Sequence, residues 1–125
     1  MKIYLAAPWS EKVLARVLGM ILAQQGHLLT EEWWEHPETT DGVELERQAR
    51  LDMAAIERAD LLILLNLQPR GGETSGKAVE FGYALALGKS LIVVGARSNL
   101  FHHLPEVHVV PTISKLFADP FIRLA

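Results

Sequence analysis

The order of apolar runs along the chain predicts a three-layer α/β domain built on a five-stranded, mainly parallel sheet. Three observations carry that expectation. Asp60-Leu61-Leu62-Ile63-Leu64-Leu65-Asn66 places five aliphatic residues in succession, the composition of a strand buried on both faces. Short apolar runs alternate with stretches whose apolar residues recur at helical spacing, the order that generates parallel strands with helical crossovers. The length of 125 residues is that of one domain, and a hydrophobic content of 50% supplies a core for it. A single domain over residues 1–125 is therefore expected.

The elements follow in order. Ile3 to Ala6 is an apolar run ended by Pro8, a first strand, and Val13 to Gln25 carries helical spacing up to Gly26, a natural helix stop. His27 to Thr30 is a brief, half-apolar second strand. Glu35 to Gly42 is a polar loop, and from Val43 to Ala59 the residues Leu45, Ala49, Met53 and Ile56 share one helical face. The aliphatic strand after Asp60 is the centre of the sheet. Beyond it come a helix from Gly76 to Gly88, a buried strand at Leu91 to Val94, a last strand at Val107 to Val110 and a helix at Ile113 to Phe117. Neither a repeat nor an interdomain linker interrupts this alternation, which is close to the flavodoxin-like arrangement. Ligands of such sheets bind beyond the carboxyl ends of the strands. The loops at Ala7 to Ser10, Thr30 to Glu35, Asn66 to Ser75 and Gly95 to His103 should therefore converge on a site.

A formal charge of −3 offers no attraction to a polyanion, so neither a nucleic-acid polymer nor an acidic membrane is an expected partner. The chain lacks cysteine, which removes thiol nucleophiles and cysteine-zinc sites and fits a reducing cytoplasm. MKIYLAAPW is too short an apolar run for a signal peptide or membrane span.

The stretch RGGETSGKAVE, from Arg70 to Glu80, satisfies most of the phosphate-loop pattern from Gly71 to Lys77 and then fails, because Ala78 stands where a hydroxyl should hold magnesium. Glu73 also puts a negative charge inside the supposed cradle. The glycines can serve a tight turn, or Thr74, Ser75 and Gly76 at the helix start can hold a single phosphate or a sugar hydroxyl. Glu80 lies about one turn into that helix, where the helix dipole favours an ionised carboxylate suited to glycosyl chemistry; spacing alone equally allows an ordinary first-turn glutamate.

Two segments, Asp52-Met53-Ala54-Ala55-Ile56-Glu57-Arg58-Ala59-Asp60 and Gly76-Lys77-Ala78-Val79-Glu80-Phe81-Gly82-Tyr83-Ala84-Leu85-Ala86-Leu87-Gly88-Lys89, resemble the nucleoside 2-deoxyribosyltransferase family. Its superfamily also contains 2'-deoxynucleoside 5'-phosphate N-hydrolases. The resemblance runs from the first strand to about Pro105 and implies a flavodoxin-like fold. It also implies that Glu80 attacks the anomeric carbon to form a glycosyl-enzyme, while Asp52 assists proton transfer to the departing base. Two carboxyl groups in these roles follow retaining glycoside chemistry. Neither a cofactor nor a metal is called for. On residues alone, Asp52 shares a helix face with Gln48 and Ile56, and it can equally be a solvated acid paired with Arg47 or Arg50. Asp60 is expected to cap the helix-to-strand turn.

Aromatic groups should hold the base. Trp9, beside Ser10, follows the first strand where the transferases carry an aromatic, and Trp33-Trp34 follows the second; one of that pair, Trp33, is expected to face ligand while the other packs in the core or at a subunit contact. Tyr4 reads as a strand residue and not a contact. The resemblance places Asn99 against the 5'-end of the sugar in a neighbouring subunit's site, implying a homo-oligomer. His102 and His103, being adjacent, point different ways and suit hydrogen bonding better than a shared metal. Thr74 stands where typical transferases have an aspartate and the phosphate-accepting hydrolases a serine, yet the first loop lacks the arginine of those hydrolases. The expected substrates are a nucleoside or nucleotide and a free nucleobase, with transfer favoured over 5'-monophosphate hydrolysis. A non-catalytic nucleotide sensor is the reading from another class.

Overall fold

The computed structural model describes residues 1–67 and 75–123. Five strands form one sheet: β1 (Lys2–Ala6), β2 (Leu28–Leu29), β3 (Leu61–Asn66), β4 (Ser90–Gly95) and β5 (Val107–Val110). Their order is β2-β1-β3-β4-β5 and every pairing is parallel. Among the described residues the helices are α1 (Lys12–Gln24), α2 (Gly42–Arg58), α3 (Ser75–Ala86), α4 (Ile113–Ala118) and α5 (Pro120–Arg123). This is the flavodoxin-like arrangement expected from the sequence, with helices on both faces of the sheet.

β3 is the axis of the core. All six of its residues are buried, and it pairs with β1 from Ile3↔Leu61 to Ala6↔Leu64 and with β4 from Leu61↔Ser90 to Asn66↔Gly95. Two-sided burial explains the unbroken aliphatic run, because neither face of this strand meets water. β1 repeats the pattern, with Ile3, Tyr4, Leu5 and Ala6 all fully buried. β2 is only two residues long, shorter than the four-residue strand expected, although the Thr30 N–H still bonds the Ile3 carbonyl at 2.9 Å. α2 and α3 pack against each other and both touch β1. They lie over one face of the first and third strands.

Three short 3-10 turns, at Trp9–Glu11, Trp33–Glu35 and Leu100–His103, occupy segments read from the sequence as loops. α2 starts at an Asp41 cap whose carboxylate accepts from the Val43 N–H at 3.4 Å. Gly26 ends α1 with φ +93°, as its position in the sequence suggests. Asp60 accepts from the Lys2 N–H at 2.9 Å, so it clamps the start of β1 to the α2–β3 turn. Among the described residues, no helix is long and apolar enough to cross a membrane.

Gly95, at the carboxyl end of β4, is required twice over. Its φ is +119°, and a Cβ there would stand 2.2 Å from the Asn66 carbonyl oxygen. Gly95→Ala should therefore destabilise the fold by more than about 1 kcal/mol, read as a lower urea midpoint at unchanged slope.

Candidate active site

The carboxyl ends of β1, β3 and β4 deliver Ala6, Asn66 and Gly95 to one edge of the sheet, and α3 starts there. Asn66 organises this edge. Its Nδ2 donates to the Ala96 carbonyl at 2.6 Å and to Ser98 Oγ at 3.0 Å, and its Oδ1 accepts from Lys77 Nζ at 2.8 Å. Lys77, the lysine of the phosphate-loop-like stretch, is thereby buried at the sheet end and joins α3 to the loop after β4. His102 extends the network, taking the Ser98 N–H on Nδ1 at 3.0 Å and meeting Phe81 edge-on. Burial and the nearby Lys77 cation hold its imidazole below the usual range, so it is a neutral hydrogen-bonding residue.

Asp52 of α2 and Glu80 of α3 face a common groove of about 350 Å³, lined also by Ala49, Met53, Ile56, Gly76, Val79 and Tyr83. The helices bring together two carboxyl groups 28 positions apart in a mostly apolar setting. Arg47 and Arg50, the possible partners of Asp52, are engaged by Glu44 and Glu46 instead. Asp52 Oδ1 is buried and makes no hydrogen bond.

The chemistry of the pair differs from the expectation of an ionised, dipole-stabilised Glu80. Burial dominates and pushes the Glu80 carboxyl up to about 7, with Asp52 raising it further and a hydrogen bond from the Tyr4 hydroxyl opposing. Glu80 is the sixth residue of α3, beyond the first turn, where the helix dipole has fallen off. Asp52 is also pushed up to about 7, by burial first and then by the charge of Glu31. Both carboxyls are thus raised towards neutrality, each chiefly by burial. Tyr4 breaks the symmetry, because its hydroxyl donates to Glu80 and favours the ionised form there, while Asp52 has no such donor on Oδ1.

Tyr4, read from the sequence as a strand residue and not a contact, is a strand residue whose hydroxyl also reaches Glu80. The available signal was a polar tip in an otherwise aliphatic strand, since a buried tyrosine hydroxyl needs a partner. Glu31 and His36 carry no such signal in the sequence. They stand beside Asp52, with His36 Nε2 3.6 Å from Glu31 Oε1.

Trp9 is exposed and lines a second cleft of about 270 Å³ with Pro37, Glu38, Thr39, Leu45 and Gln48. Lys12 Nζ lies 4.6 Å from its ring centre, and Ser10 is exposed on the same turn. Trp33 is only 5% exposed; its indole N–H donates to the Leu5 carbonyl at 2.6 Å, and its ring lies 6.1 Å from that of Trp9. The structure thus makes Trp33 a buried support of Trp9, with little surface of its own for a ligand. Trp34 packs against α1 at Gly19. Asn99 is exposed and caps the Leu100–His103 turn, accepting the Phe101 N–H at 2.9 Å. Gly76 lies in the groove with Asp52 and Glu80, and Ser75 opens α3. Thr74 lies outside the described residues.

The flavodoxin-like sheet carries this carboxyl pair, and the family match makes the chain an enzyme of the N-glycosyl transferase and hydrolase class. The family profile described as nucleoside 2-deoxyribosyltransferase matches residues 3–109, and the chain belongs to that family. Among solved structures, a 2-deoxyribosyltransferase from Bacillus psychrosaccharolyticus superposes with a TM-score of 0.75 at 21% identity, over 99% of this chain and 96% of that one. The CMP N-glycosidase BcmB of Clostridium botulinum gives 0.68 at 23% identity, over 95% of this chain and all of the other. A Leishmania mexicana 2-deoxyribosyltransferase gives 0.64 at 19% identity, over 97% and 96%. No curated protein shows significant sequence similarity to the chain.

The raised Glu80 has a stability signature. The folded protein keeps this proton up to about pH 7, whereas the unfolded chain releases it near 4.5, so the folded state binds more protons between those values. Unfolding free energy should fall as pH rises through that window, by up to ~3 kcal/mol from this one group. Urea denaturation across pH 4.5–7.5 should show the fall in the parent protein and a flatter profile in Glu80→Gln.

Proposed function

We propose that the protein is a nucleoside 2'-deoxyribosyltransferase working through a covalent glycosyl-enzyme on Glu80. The observation that carries this reading is the pair of carboxyls in one groove, poised near neutrality, of which only Glu80 holds a tyrosine hydroxyl donor. The reactive form has Glu80 ionised and Asp52 protonated. Glu80 forms a bond to C1' of the sugar as the C1'–N bond breaks, and the Asp52 proton passes to the departing base. A second base then attacks C1', Glu80 departs, and Asp52 recovers a proton from the incoming base.

In this reading Trp9 supplies the aromatic surface for the base, backed by Trp33, with Ser10 at its margin. Thr74, Ser75 and Gly76 hold the hydroxyl end of the sugar. Asn99 reaches the sugar of a neighbouring subunit in a homo-oligomer, which accords with the exposure of Leu100 and Phe101 beside it, at 74% and 52%. Analytical ultracentrifugation should then show a dimer or larger assembly.

A second reading is hydrolysis of a nucleoside 5'-monophosphate, with water in place of the acceptor base. Thr74 supports it, since a hydroxyl admits a phosphate that a carboxylate would repel. The fold shared with the CMP N-glycosidase accords with it too. Incubation of a deoxynucleoside with a second free base separates the two: an exchanged nucleoside supports transfer, and free sugar alone supports hydrolysis. A ligand that binds and is never converted would leave a sensor.

Glu80→Ala should lower turnover by about 10⁴-fold or more, and Asp52→Asn by about 10²–10⁴-fold. Retained turnover in Glu80→Ala would sink the covalent mechanism. Tyr4→Phe removes the bond that favours ionised Glu80, so the acid limb of the pH–rate profile should move to higher pH.

A further inference from the structure

Glu31, His36 and Asp52 come together from three parts of the fold. Glu31 follows β2, His36 closes the Trp33–Glu35 turn with its N–H on the Trp33 carbonyl at 3.0 Å, and Asp52 rides on α2. One ligand atom from each lies within 4.8 Å of the others, the only such grouping among the described residues. Two of these side chains carry a buried polar atom beyond hydrogen-bond distance of any partner. His36 Nε2 and Asp52 Oδ1 are both buried and neither has a hydrogen-bond partner, although buried polar atoms are nearly always satisfied. The side chains of His36 and Glu31 are only 11% and 21% exposed, so this is a recessed cluster and not a solvated acidic face.

We propose that Glu31, His36 and Asp52 form a binding site for a divalent transition-metal ion of the zinc class, and that the bound ion inhibits the enzyme. One imidazole and two carboxylates are a donor set that suits zinc or cobalt better than magnesium, which favours oxygen ligands and retained water. A tetrahedral ion about 2.0–2.2 Å from each donor requires donors roughly 3.3–3.6 Å apart. The His36–Glu31 edge already has that length at 3.6 Å, and Asp52 offers a ligand atom within 4.8 Å of both. With both carboxylates ionised, the site carries two negative charges, which a divalent ion neutralises. Solvent fills the fourth position.

The consequence for activity rests on the reading of Asp52 as proton donor. A coordinated carboxylate has given up its proton and its free oxygen, so an enzyme holding the ion cannot protonate the leaving base. The ion competes with catalysis at one side chain.

Binding and inhibition are tested separately. Cobalt(II) added to the metal-free protein should give the intense visible absorption of a four-coordinate site at one equivalent. His36→Ala and Glu31→Gln should each weaken it at least about tenfold. His108→Ala, which removes an exposed histidine–carboxylate pair elsewhere, should leave it unchanged, and circular dichroism should show each variant folded. Absence of that absorption, or equal affinity in His36→Ala and the parent, would overturn the site whatever the enzyme's reaction. Zinc should abolish turnover in the parent at one equivalent and a chelator should restore it. Zinc that binds there while turnover is undiminished would overturn the inhibitory role and leave the site standing.

Discussion

Five aliphatic side chains from Leu61 to Leu65 shed water on both faces of one strand, and the rest of the molecule is arranged to let them. A strand so placed must have neighbours on both sides and helices above and below. β1 and β4 supply the neighbours, α2 and α3 cover one face together, and parallel crossovers bring the carboxyl ends of the strands to a common edge. Position in the sheet decides the chemistry. Tyr4 points from β1 toward α3 because alternate residues of a strand face opposite sides, and the helix lying over that side carries Glu80.

Within that frame, two opposing electrostatic effects meet at Glu80. Withdrawal from water raises the carboxyl, and the Tyr4 hydroxyl lowers it, with burial the larger influence. The outcome is a group close to neutrality, poised to exist in either form at physiological pH. Asp52 reaches the same range by a different route, through burial and the charge of Glu31. The two environments differ in one hydrogen bond, the one that Tyr4 gives Glu80. The hydroxyl of a strand tyrosine thereby acquires a role that its place in the core would not suggest.

Much of this was legible in one dimension. The aliphatic run of β3, the helical spacing of α1 and α2 and the stop at Gly26 follow from burial and backbone preference acting within a few residues. The segment around Glu80 carried the family likeness. Less legible were the short 3-10 turns, which depend on tertiary packing, and the division of labour among the tryptophans. Trp9 and Trp33 look equally available as letters. Trp33 is withdrawn because its N–H is spent on the Leu5 carbonyl and its ring lies under Trp9. Lys77 is similar: its setting suggests a phosphate ligand, whereas the fold turns it onto Asn66.

Sequence by itself determined the layers and the strand and helix order, and its family likeness singled out Glu80 and Asp52. Those features rest on local periodicity and on residue type, which the chain carries wherever it goes. Tertiary structure alone decided that Glu80 is held near neutrality by burial, that Tyr4 is its donor, and that Glu31 and His36 stand beside Asp52. The reason is physical: a carboxyl's proton affinity is set by the water it has lost and the charges it faces, and those neighbours come from strands and helices far apart in the chain.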